Sequence, residues 1–215
     1  MRASCIGVYG ASGMGREVMP LVRAEYGPVS DLFYVDDGAA AGAGNVLSFE
    51  DFLALPYGRK SVVIAIANSV IRERLAGRCM QAGIGFLDVR ASSAVVLDNV
   101  VMGEGALLCS FAHVTCDVTI GRHFHGNFYS YVAHDCVIGD FVTFGPGAKC
   151  NGNVHIEDHA YIGSGAVLKQ GQPGAPRRIG RGAVVGMGAV VTRDVAAGET
   201  VVGNPARPIM RGRAD

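Results

Sequence analysis

The sequence predicts two fold types in series: an α/β N-terminal Rossmann-like half-unit, then an all-β left-handed parallel β-helix built on a hexapeptide repeat. Three observations predict this. Strand-like apolar runs alternate with helix-like patterns over the first third of the chain. From Val96 onward, apolar residues recur every six positions. The chain also carries 31 glycines and no tryptophan among many Val, Ile and Ala, which suits a turn-rich β architecture. The expected boundaries are 1–88 for the α/β domain and 89–215 for the β-helix.

The first element is "CIGVYG", residues 5–10, a short apolar run ending in glycine that reads as a buried parallel strand. A helix follows, with Met14, Val18, Leu21 and Val22 at helical spacing and Pro20 as a source of bending. "LFYVDD" (32–37) reads as a second strand, 49–57 as a helix, "SVVIAIAN" (61–68) as a third strand and 69–83 as a helix. Such alternation argues a parallel sheet with right-handed crossovers. Gly10, Gly13 and Gly15 crowd the first turn, where glycine lets a ligand approach the backbone and a helix N-terminus favours phosphate. Their spacing, G-x-x-G-x-G, is not the dinucleotide fingerprint. With only half a dinucleotide fold present, one nucleotide is expected rather than NAD. Asp36 and Asp37 end the second strand about where an acid contacts a ribose or base.

The second part is read by stepping in sixes from Val96 to Leu168. Of those thirteen positions twelve are apolar, Gly126 being the exception. Four residues after each comes a mostly small side chain, with Phe124 the large one. Neither the helical nor the strand period yields six, whereas a parallel β-helix does. Three hexads make one coil, so eighteen residues return the chain to the same face one coil higher. The step from Leu168 to Ile179 is eleven; five extra residues bulge out within 169–178, where Arg177 and Arg178 are candidates for phosphate contact. The register resumes at Ile179, Val185 and Val191.

A net charge of zero points to neither nucleic acid nor an acidic membrane surface as the main partner. No apolar run approaches the roughly 20 residues that span a bilayer, and no secretory pattern opens the chain. Six cysteines without a CxxC pair suit free thiols in the cytoplasm, mostly as small buried side chains.

The blocks "YGASGMG" (9–15), "VDD" (35–37), "AIANSVIRERL" (65–75), "AHDCVIGDF" (133–141), "GAKCNGNVHI" (147–156) and "VVGNPARPI" (201–209) carry a resemblance over nearly the whole chain. The sequence resembles the bacterial nucleotide-sugar N-acetyltransferases that act on 4-amino-4,6-dideoxy sugars, within a wider group that includes sialic acid O-acetyltransferases. The resemblance implies a homotrimer with acetyl-CoA as co-substrate in the groove between neighbouring β-helices, no metal, and a nucleotide-activated amino sugar held by the N-terminal unit. It implies Ser12, Gly13 and Met14 lining the sugar-nucleotide site, with Asp36, Asp37, Ala67 and Asn68 near it and Asn127 as a further substrate contact. Thr143 stands where some members place a cofactor-contacting histidine, and Ser164, Gly186 and Met187 are further cofactor candidates. Met14 likewise replaces a histidine that some members carry.

Acetyl transfer from a thioester to an amine needs a base for the nucleophile and a donor for the developing oxyanion. His134 is the third residue of its hexad, off the inward slot. Gly152 lies eighteen residues on, stacked above it, and leaves its N–H open to a thioester carbonyl; the family places base and donor in this relation. Asp135 would tune the base. The remaining histidines, His113, His123, His125, His155 and His159, show no consistent slot. A zinc enzyme of the carbonic-anhydrase kind would need a close histidine pair on one corner, and His123 with His125 does not match that spacing. A non-catalytic assembly role and O-acetylation of a sialic acid remain as alternative readings.

Overall fold

The computed structural model describes residues 4–38 and 45–209. The chain forms two compact units, Met1–Arg90 with Glu104–Ala106, and Ala91–Gly103 with Leu107–Asp215.

The first unit is a parallel sheet with helical crossovers. Its elements are β1 (Ser4–Tyr9), α1 (Gly13–Tyr26), β2 (Asp31–Val35), β3 (Val46–Leu47), α2 (Phe49–Ala54), β4 (Arg59–Ile64), α3 (Ser69–Gln81) and β5 (Gly85–Phe86). The strand order is β3-β2-β1-β4-β5, all parallel. The two-residue strands β3 and β5 are too short to carry a periodic signal. Expected ends also move. The second strand stops at Val35, before both aspartates, and the third stops at Ile64. Helix α2 stops at Ala54, not at residue 57, because Leu55 precedes Pro56 and takes an extended ψ of 141°. Helix α1 runs without interruption through Pro20 to Tyr26.

Two of the three turn glycines are required by packing. A Cβ on Gly15 would lie 1.7 Å from the Gly10 carbonyl oxygen, and Gly10 has φ +114°, a region closed to most side chains. A Cβ on Gly13 would meet nothing within 4 Å. Behind the β4–α3 turn, Arg72 is fully buried and donates from Nη1 to the carbonyls of Ile66 (2.7 Å) and Ala67 (3.1 Å). Burial lowers its pKa to about 9. Arg72→Met takes both bonds away and is expected to cost about 1–3 kcal/mol, read as a lower urea midpoint at unchanged slope.

The second unit is a left-handed parallel β-helix. Its strands are two or three residues long and stack at an eighteen-residue interval on three sheets. Val114 pairs in register with Val132, which pairs with Cys150 and then Leu168. Ile120 leads to Ile138 and Ile156 on the second sheet, and Gly126 to Phe144 and Ile162 on the third. These inward side chains are at most 2 % exposed. The exception at Gly126 has a packing cause. A Cβ there would meet Leu108 Cδ2 at 2.9 Å and Phe124 Cε1 at 3.0 Å. Phe124, oversized for its own slot, fills the space that Gly126 vacates and meets Phe144 edge-on at 5.4 Å. The eleven-residue step between Leu168 and Ile179 is a small hairpin. Gln172 and Ala175 exchange backbone hydrogen bonds of 3.0 and 2.9 Å, and Ile179 re-enters in register with Ile156.

From Asn99 to Gly165 every corner turns through one residue of positive φ. In the column Asn99, Asp117, Asp135, Asn153 all four side chains are Asx, with φ of 55° to 57°. These are the non-glycine residues that best tolerate the left-handed region.

Candidate active site

His134 lies two residues past the inward Val132, on the corner, with its side chain 56 % exposed. The next residue, Asp135, occupies the left-handed corner position, and from there its carboxylate turns back to the ring. Oδ2 lies 2.6 Å from His134 Nδ1. A carboxylate only accepts, so in the neutral ring Nδ1 carries the proton and Nε2 keeps its lone pair. Three neighbouring Asx residues hold the same corner position without a histidine before them. Asp135 thus meets a demand of the fold and orients the imidazole as well.

Gly152 sits against the face of that ring. A Cβ on it would fall 2.5 Å from Cε1, 2.6 Å from Nε2 and 3.0 Å from Nδ1 of His134. Any other residue would displace the imidazole. Among the described residues the Gly152 N–H donates to no protein group, while its carbonyl accepts from Gly171 N–H at 3.0 Å. Here a base and a free backbone donor stand side by side, as acyl transfer requires.

The remaining expected residues fall into two further groups. In the first unit, Ser12–Met14, Asp36–Asp37 and Ala67–Asn68 follow the C-terminal ends of β1, β2 and β4. These ends lie at the switch point of the sheet order, where open α/β sheets bind ligands. Ser12 is the N-cap of α1, yet its hydroxyl makes no capping bond. Asn68 caps α3, with Oδ1 accepting from Ile71 N–H at 3.0 Å. Asp36 closes the turn, accepting from Ala11 N–H (2.9 Å) and Gly38 N–H (2.8 Å).

Asp37 accepts from Phe49 N–H at 2.9 Å, from the Tyr9 hydroxyl and from Arg78, which also reaches Glu50 and lies 4.2 Å over the Phe49 ring. Burial pushes the Asp37 carboxyl up, but the bonds from Tyr9, Phe49 N–H and Arg78 outweigh it and hold it below its ordinary range. Tyr9, Phe49 and Arg78 escaped the sequence reading because their partners lie 12 to 69 residues apart with no shared period.

The third group lies elsewhere on the β-helix. Asn127 shares its column with Gly163 and Gly186, and Ser164 with Met187, on the corner after the third sheet. His134 is on the corner after the first sheet. A single chain therefore does not bring Asn127 or the cofactor candidates to His134. Met187 is 81 % exposed, whereas Thr143 is 4 % exposed in a strand between His125 and Tyr161.

The histidine reading needs correction: His113, His125 and His155 share one hexad slot, each directly before an inward residue. His123 and His159 do share a column, with Phe141 between them; the three rings stack at 5.0 and 5.4 Å. The thirty-six-residue interval hid this from a coil-by-coil comparison. Among the described residues no group of three or more His, Cys, Asp or Glu is placed to hold a metal ion. No helix among them is long and apolar enough to cross a membrane.

The six-repeat bacterial transferase hexapeptide family model matches residues 135–170, the stretch that follows His134 and includes Gly152. The chain is 49 % identical over 212 residues to a GDP-perosamine N-acetyltransferase of Escherichia coli O157:H7, covering 95 % of this chain and 96 % of that one. Among solved structures, WeeI from Acinetobacter baumannii AYE superimposes with a TM-score of 0.93 at 57 % identity, over 96 % of this chain and 100 % of that one. The acetyltransferase domain of PglB from Neisseria gonorrhoeae FA1090, solved in complex with acetyl coenzyme A, superimposes with a TM-score of 0.84 at 26 % identity, over 97 % of this chain and 100 % of that one. With the repeat, the His134–Gly152 corner and a relative matched end to end, the chain belongs to the hexapeptide-repeat sugar N-acetyltransferases and is an acyltransferase.

Proposed function

We propose that this enzyme transfers the acetyl group of acetyl-CoA to the 4-amino group of a nucleotide-linked 4-amino-4,6-dideoxy sugar, with GDP-perosamine the foremost acceptor. The observation that carries the reading is the contact of Gly152 with the His134 ring, beside a carboxylate that fixes the tautomer. Support for the acceptor comes from the end-to-end relative, itself a GDP-perosamine N-acetyltransferase.

The amine nitrogen attacks the thioester carbonyl and gives its proton to His134 Nε2. The carbonyl π electrons move onto oxygen, and the Gly152 N–H meets that charge as it forms. Collapse of the intermediate breaks the C–S bond, and Nε2 returns the proton to the departing thiolate. Asp135 keeps the ring oriented and favours its transient cationic form. No acyl-enzyme is needed.

The acceptor's nucleotide is held at the switch point of the first unit, where Gly13 leaves open space and the Ser12 hydroxyl makes no capping bond. The displacement of Ser164, Gly186 and Met187 from His134 within one chain is the reason to assign a homotrimer. A neighbouring β-helix supplies the second wall of the cofactor groove. O-acetylation of a sialic acid stands behind this reading, because such an acceptor has no use for a nucleotide site. A panel of acceptors tests the choice: UDP-, GDP- and dTDP-linked 4-amino sugars and free sialic acid, each with acetyl-CoA and thiol release as the readout. Turnover is expected with a nucleotide amino sugar and absent with sialic acid. The reverse pattern would overturn the proposal.

A further inference from the structure

The peptide that carries the Gly152 N–H also carries the Asn151 carbonyl, and in a trans peptide the two point in opposite directions. The N–H therefore faces away from the interior, while the carbonyl faces into the β-helix, where a partner is needed. It finds two thiols. Cys136 Sγ lies 3.3 Å from Asn151 O and Cys150 Sγ lies 3.6 Å from it, with the two sulfurs 3.9 Å apart. Both side chains are fully buried.

The columns show how local this arrangement is. Cys136 stands between Val118 one coil below and Val154 one coil above; Cys150 stands between Val132 and Leu168. The coil that carries Gly152 is thus where both columns exchange an aliphatic side chain for a donor. For burial alone valine would serve as well as cysteine.

We propose that Cys136, with Cys150 behind it, is a positioning residue whose thiol holds the Asn151 carbonyl inward and so aims the Gly152 N–H at the reacting thioester oxygen. The inference rests on Gly152 being the oxyanion donor. A thiol is a weak donor, but in a dry interior one bond to an otherwise unmet carbonyl has a large effect on peptide orientation. Burial raises the Cys150 pKa well above the usual thiol value, and the neighbouring Cys136 raises it further, so Cys150 stays protonated. Cys150 and the Val154 backbone lower the Cys136 pKa against the burial that raises it, and its thiol lies 3.3 and 3.6 Å from the carbonyls of Asn151 and His134. The second fixing point is the Gly171 N–H on the Gly152 carbonyl, at the root of the inserted hairpin. A Cβ on Gly171 would lie 2.2 Å from Asn153 O, so that root has room for glycine alone.

The test compares Cys136→Val, which copies the coils above and below, with Cys136→Ser, which restores a donor. Two measurements are made on the full-length protein. The first is steady-state transfer from acetyl-CoA to GDP-perosamine. Cys136→Val is expected to lower kcat roughly ten- to a hundredfold with KM for both substrates and the thermal midpoint little changed, and Cys136→Ser to recover most of the loss. The second needs no turnover: the Gly152 amide resonance in isotope-labelled glycine spectra of the acetyl-CoA-bound protein, assigned by its loss in Gly152→Ala. It is expected to move in Cys136→Val and return in Cys136→Ser, while Gly163 stays in place. An unmoved Gly152 amide, or wild-type kcat in Cys136→Val, would overturn the inference. If the wild type fails to acetylate GDP-perosamine, the acceptor assignment falls and the amide resonance alone decides the role of Cys136.

Discussion

Alanine at position 134 is expected to lower kcat for acetyl transfer by about 10²- to 10⁴-fold, the range a positioned general base supplies. Acetyl-CoA binding, read by calorimetry, is expected to stay within a factor of about two to three, a change under 1 kcal/mol. The imidazole is exposed and is bonded to the equally exposed Asp135, so removing it opens no cavity and leaves no buried polar group. The loss should fall on kcat, with stability unchanged. Asp135→Asn separates the two roles of that residue. Asparagine keeps the left-handed corner, as Asn99 and Asn153 do, yet no longer holds an ionic partner for the ring. An intermediate fall in kcat with unchanged folding is expected, read by thiol release and thermal unfolding.

The second large effect is expected at Gly152. Its φ is not in the positive range, so the backbone accepts alanine without strain. The added methyl nevertheless lands 2.5 Å from His134 Cε1. The ring must swing away from the donor, breaking the base–donor pair in one step. Loss of a single oxyanion donor costs about 10²–10³ in kcat, and the displaced base adds to it, so Gly152→Ala should approach His134→Ala in severity. Because the two act as one unit, the double variant is expected to be little worse than either single one. Thiol release by the three variants checks this; fully multiplicative losses would mean that the residues act separately.

Much of this site is legible in one dimension because the β-helix is nearly one-dimensional. The six-residue period gives inside and outside, and the eighteen-residue return gives stacking. Val132 inside, His134 at the corner and Gly152 above it need no more than counting. The same counting explains what was missed. The His123–Phe141–His159 ladder spans two coils, and the pairing of Gly126 with Phe124 appears only when two exceptions to the pattern are set side by side. In the first unit the period carries less. Which glycines are needed for packing, and that Asp37 is engaged by Tyr9, Phe49 and Arg78, depends on contacts between distant segments. The same limit applies to the cofactor candidates. Their corner can be counted, but a period within one chain says nothing of what faces it.

The account is tested most directly by mixing wild-type enzyme with acetyl-CoA and GDP-perosamine and following thiol release together with the mass of the nucleotide sugar. One thiol is predicted for each sugar acetylated on its amine, with neither signal when the amine is replaced by a hydroxyl, and both lost together in His134→Ala. Thiol release that persists with the hydroxyl sugar, or undiminished turnover in His134→Ala, would contradict it.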